Sequence, residues 1–112
     1  MLIAERTLKL ETPAGTRGIG IKLYAPVRED GDWSCTYEIM WPDAAEKRKM
    51  YGLDAMQAVN LTLQMLGTTL YASEAHKSGK LYWEKPGGGY GFPVPPNMRD
   101  VLVGNDKIEF GQ

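Results

Sequence analysis

The sequence predicts an α+β fold: an antiparallel meander of three to four strands, one long helix packed on one face, and a Gly/Pro-rich C-terminal loop. Three observations predict it. Residues 2–41 alternate apolar and polar side chains over three stretches, the period of half-buried strands. From Ala55 onward apolar residues recur at spacings of three and four, the period of a helical stripe. Residues 86–96 then hold four Gly and four Pro, which nearly excludes regular helix or central strand.

The first strand is expected over residues 2–12, with Leu2, Ala4, Leu8 and Leu10 on one parity and Glu5, Thr7, Lys9 and Glu11 on the other. Thr12-Pro13-Ala14-Gly15 supplies a turn, since Pro presets φ and Gly accepts a positive one. In the second strand Ile19, Ile21, Leu23 and Ala25 point inward, and Pro26 weakens the end. The Asp30-Gly31 step favours a hairpin turn. A third strand follows with the cleanest alternation: Trp33, Cys35, Tyr37, Ile39 and Trp41 against Ser34, Thr36, Glu38 and Met40. After a turn at Pro42, a short strand is expected near residues 47–51.

Asp54 and Gln57 have the spacing of a loose capping box, which opens a helix expected over residues 55–75. Met56, Val59, Leu63, Leu66 and Leu70 form its stripe, and Ala55, Ala58, Leu61 and Met65 widen it enough that the helix should be largely covered. Gly67 inside it costs about 1 kcal/mol relative to Ala unless another backbone approaches closely. Gly79 suits the helix stop. Leu81, Tyr82 and Trp83 read as a short strand, residues 97–103 as a short helix capped by Asn97, and Ile108-Glu109-Phe110 as a final edge strand.

With 112 residues the chain is long enough for a single domain, residues 1–112, with an ordinary core. Its 43% hydrophobic and 24% charged fractions exclude collagen-like, disordered and disulfide-scaffold classes. A net charge of −1 gives no overall field to attract nucleic acid or anionic lipid. The one cysteine, Cys35, leaves no intrachain disulfide, redox pair or zinc knuckle. The first residues lack the basic start and apolar stretch of a secretory signal, and no run reaches the roughly 18 apolar residues of a membrane span. These features together point to a cytoplasmic protein with no nucleic-acid or membrane partner.

Candidate chemistry is sparse. The single histidine, His76, falls near the expected helix end, where the dipole favours a partly charged surface imidazole; general acid–base work is the alternative. Cys35 lies between Trp33 and Tyr37 on the inward parity, so it reads as a small buried hydrophobe rather than an activated thiolate. Asp30 and Asp32 lack the further ligands of a calcium loop. Asn60-Leu61-Thr62 sits mid-helix and Ser78-Gly79-Lys80 follows a helix, so neither the glycosylation nor the phosphate-loop reading holds. Lys47-Arg48-Lys49 reads as edge-strand protection, with phosphate binding as the alternative. No catalytic residue, metal ligand or cofactor is assigned.

Tyr82 and Trp83 just before the Gly/Pro segment and Tyr90 and Phe92 within it are four aromatics in eleven residues, and they are the candidate binding residues. A loop stiffened by Pro can present Tyr90 and Phe92 as anchors at an interface or a pocket rim. The other reading is that Tyr90, Phe92 and Val94 fold back as a satellite core.

Residues 51–58, continuing through Leu61, Leu63, Leu66-Gly67 and Leu70-Tyr71 to Leu81, Trp83 and Gly88-Gly89-Tyr90-Gly91-Phe92-Pro93, resemble a family of small bacterial proteins that form a domain of unknown function. The resemblance implies a freestanding bacterial domain and brings no activity, cofactor or catalytic residue. The function expected is a small non-enzymatic binding or protein-interaction domain, with a homodimer as one form of assembly. The alternative is a small enzyme or ligand-binding domain, with a pocket between helix and loop where His76, Tyr82, Glu84 and Tyr90 converge.

Overall fold

A computed structural model describes residues 1–111. In chain order the elements are β1 (Leu2–Thr12), β2 (Gly15–Tyr24), β3 (Val27–Glu29), β4 (Asp32–Met40), β5 (Ala45–Gly52), α1 (Ala55–Ala72), α2 (Glu74–Lys77), β6 (Leu81–Tyr82), a 3-10 turn (Pro96–Val101) and α3 (Gly104–Phe110). The fold is α+β, with one antiparallel sheet ordered β3-β4-β2-β1-β6 and β5 added to β4.

Six strands replace the expected three to four, and each addition has a local cause. Leu23 faces Tyr37 whereas Val27 faces Ser34, so four steps along β2 and β3 correspond to three along β4. One extra residue is accommodated near Pro26, a bulge that separates β3 from β2 and reverses the parity of the side chains after it. The β3–β4 turn then closes on Asp30 and Gly31 with φ of 52° and 86°, the paired positive values of a tight hairpin. β5 begins at Ala45 rather than residue 47, because pairing with β4 extends out to Met40. β6 joins the opposite margin through Lys9↔Tyr82 and Leu10↔Leu81.

The chain forms two compact units: residues 1–7 with 19–63, and residues 8–18 with 64–112. In the first unit the inner face of the sheet carries Ile19, Ile21, Cys35, Tyr37 and Ile39, all buried. The start of α1 lies against it. The Thr62 hydroxyl donates to Ala58 O at 2.7 Å and reaches Cys35 O at 3.4 Å, and a Cβ on Gly52 would meet Ala58 N at 2.5 Å. The cap forms as spaced: Gln57 N donates to Asp54 Oδ1 at 2.8 Å, and Leu53 N donates to Gln57 Oε1 at 2.6 Å.

The stripe itself needs correction. The covered positions are Ala58, Thr62, Leu66 and Leu70, a run of i,i+4 neighbours, whereas Met56 is 82% exposed and Val59 and Leu63 are only part-covered. Two stripes share Leu66 and Leu70, and the small residues of the i+4 row let the sheet approach. The helix also stops at Ala72: Ser73 is extended at ψ 151° and accepts from His76 N to start α2.

In the second unit Gly67 is required. A Cβ there would run into the Pro93 carbonyl, so the loop backbone lies directly on α1. Leu8, Leu66, Leu70, Leu81, Val94 and Leu102 are buried in this unit. Residues 96–101 form a 3-10 turn preceded by Pro95, with no side-chain cap from Asn97. Ile108-Glu109-Phe110 belongs to α3 and is not an edge strand. Three residues fit either period, and Gly104, at φ 56°, turns the chain into the helix.

Candidate functional site

The site lies in the second unit, where α1, α2, β6, the 83–95 segment and α3 bring aromatic and ionisable side chains together. Its centre is Asp106, 2% exposed in the first turn of α3. One carboxylate oxygen accepts from the Tyr71 hydroxyl at 2.6 Å and from Tyr90 N at 2.8 Å. The other accepts from Gly91 N at 2.7 Å. A Cβ on Gly89, at φ 87°, would lie 2.5 Å from the carboxyl carbon, so only glycine leaves room. The carboxylate ties the loop backbone to α1 by charge-assisted hydrogen bonds.

Next to it the Tyr90 hydroxyl stands 2.5 Å from His76 Nδ1 and 3.3 Å from Leu81 O. The His76 ring meets those of Tyr71 and Tyr90 edge-on, with centroids 4.8 Å and 5.5 Å away. Burial pushes both tyrosine hydroxyls well above their ordinary range, with Asp106 adding to the effect. Burial also lowers the His76 pKa, which favours the neutral ring. This corrects the expectation of a partly charged surface imidazole. Helix α1 ends four residues before His76, and α2 folds the ring inward.

Two openings flank this cluster. A pocket of about 140 Å³ is lined by His76, Tyr82 and Tyr90 with Leu81 and Val103. A larger cleft of about 860 Å³ is walled by Trp83, Glu84, Lys85, Asn105, Asp106 and Ile108. Of the four residues expected to converge, His76, Tyr82 and Tyr90 meet at the small pocket, and Glu84 faces the larger cleft.

Among the four candidate binding residues, Tyr90 and Phe92 are buried at 2% and 7% exposure. Tyr82 and Trp83 are part-exposed. The Tyr82 hydroxyl donates to Glu11 at 2.9 Å, and Lys9 Nζ lies 5.8 Å from its ring centre. Glu11 is held below the usual carboxylate range by the Thr16 and Tyr82 hydroxyls. Sequence reasoning missed Tyr71 and Asp106. Tyr71 directly follows the predicted stripe residue Leu70, but Asp106 has no local signal, because its partners come from 15 to 35 residues away.

Among the described residues no group of three or more His, Cys, Asp or Glu is placed to hold a metal ion, and no helix is long and apolar enough to cross a membrane. Residues 4–94 match a family described as Domain of unknown function (DUF6968), a span covering well over half the chain. The chain belongs to this family. The DUF6968 match contains Tyr71, His76 and Tyr90 and ends before the 3-10 turn and α3, so Asp106 lies outside it. No curated protein and no solved structure matches this DUF6968 chain.

Proposed function

We propose that this protein is a small non-enzymatic protein-interaction domain whose contact surface is the cleft beside Trp83. One observation carries the reading: the Asp106 carboxylate at the back of the cleft is already committed to Tyr71, Tyr90 N and Gly91 N. With its two oxygens engaged by the loop amides and the Tyr71 hydroxyl, it serves to hold the loop. What it holds is a wall of backbone with Trp83 and Ile108 beside it. A pre-formed wall of this kind lowers the entropy of capturing a polypeptide, and a tryptophan at its lip is a favoured anchor. The reading places the protein in a bacterial cytoplasm, where the buried thiol of Cys35 stays reduced.

The test is selection of a random peptide library on the immobilised protein, followed by affinity measurements on Trp83→Ala. Selected peptides should lose about tenfold or more in affinity on the variant. Peptides that bind both forms equally, or a library that yields none, would overturn the reading.

A second reading is a small enzyme or ligand-binding domain using the pocket lined by His76, Tyr82 and Tyr90; their convergence on one opening supports it. A small-molecule fragment screen read by His76 ring resonances decides it, since fragments that leave the ring unmoved would remove this alternative.

A further inference from the structure

β5 is an eight-residue strand that pairs with β4 along its whole length and with no other strand among the described residues. Five of its eight residues are exposed: Ala45, Lys47, Arg48, Lys49 and Tyr51. A margin of that length is a template for another extended chain. Its charge decides which chain. Lys47 and Lys49 share the outer face, opposite Glu38 and Thr36, while Arg48 stands opposite Tyr37 on the inner side. Two copies of this margin paired edge to edge would set Lys47-Arg48-Lys49 against itself, and like charges across a pair are unfavourable. The same three cations favour carboxylates on an incoming strand.

The cations are engaged only loosely. Lys49 pairs with Glu29 at 3.2 Å and Arg48 with Glu46 at 3.2 Å, both at exposed positions. Lys47 Nζ lies 6.0 Å from the Tyr24 ring centre. Exposed ion pairs are weak, so exchange of these partners for an incoming carboxylate meets little resistance. Beyond the strand, Leu53 and Met56 are each 82% exposed, so the margin ends in apolar surface.

We infer that the free margin of β5 takes an extended acidic polypeptide segment by strand addition, with an apolar residue of that segment reaching Leu53 and Met56. This site is separate from the Trp83 cleft and rests on its own residues.

The test uses the full chain, isotopically labelled, titrated with a blocked peptide of alternating Val and Glu ending in Phe. Amide shifts confined to residues 45–56, slower hydrogen exchange along β5 and affinity that falls with salt are expected. Lys47→Glu combined with Lys49→Glu should weaken binding about tenfold or more, and the milder Lys47→Gln with Lys49→Gln should weaken it in the same direction if the reversal perturbs folding. Equal binding of a Val/Lys peptide would overturn the inference. Absence of any shift in β5 would do so too. Shifts centred on Trp83 would reject the β5 site while favouring the cleft, and a dimer formed through β5 would identify a second copy as the occupant and reject the acidic segment.

Discussion

The Tyr90 hydroxyl lies 2.5 Å from His76 Nδ1, joining the glycine-rich loop to the short helix after α1. Burial lowers the His76 pKa from 6.5, so the folded chain binds a proton there less readily than the unfolded chain. The unfolded state therefore takes up the extra proton between the folded value and 6.5, and stability rises with pH across that window. The full contribution is present above 6.5, erodes on acidification and is gone once the pH has fallen through the folded value. Thermal melts of the wild type should show this slope and those of His76→Asn should not, while an NMR titration of the ring should give a midpoint below 6.5. A ring that titrates at or above that value would refute the account.

Asp106→Ala leaves the Tyr71 hydroxyl and the amides of Tyr90 and Gly91 without their acceptor. Orphaned buried donors and a lost charged network cost about 3 kcal/mol or more, read as a drop in urea midpoint at unchanged m-value. Asp106→Asn should fall between, since it keeps one acceptor oxygen but turns an amide N–H₂ toward existing donors.

Gly67→Ala separates helix propensity from packing. Propensity alone predicts a gain of about 1 kcal/mol in a helix interior. The Pro93 carbonyl occupies the space of the new methyl, so the variant should instead lose about 2 kcal/mol or more. A stabilised variant in equilibrium unfolding would show that the loop does not rest on α1.

Met56 and Leu66 were grouped by spacing and are divided by burial. Met56→Gln, at a position 82% exposed, should change stability by less than about 0.5 kcal/mol. Leu66→Ala, at 1% exposure, should cost about 2–5 kcal/mol. Chemical denaturation of the two variants checks both.

That division shows what the sequence makes legible. The inward residues of β2 and β4, and Leu8 in β1, follow from parity alone, because a strand beside a core has only two faces and the side-chain period is two. Leu2 and Ala4 share the parity of Leu8 but are exposed, since parity does not say how far along a strand the core reaches. A helix offers more ways to turn, and the abundance of apolar residues on α1 fits several stripes; the small Ala58 and Thr62 are the ones turned to the sheet, since they allow close approach. Asp54 and Gln57 were readable because their partners lie within four residues. The site was less so. Tyr82, Tyr90 and His76 belong to one short stretch of sequence, but the inward fold of His76 depends on the break at Ser73, and the role of Asp106 depends on donors far along the chain.

The bulge near Pro26 decides which face of the sheet receives a carboxylate. Past it, Glu29 shares the outer face with Lys49 and holds it at 3.2 Å. Strict alternation from the inward Leu23 would turn Glu29 toward the core side; the one extra residue places it instead opposite Asp32 on the outer face. Lys49 thereby gains its counter-ion, and the rim of β5 is less positive than its own three cations would make it.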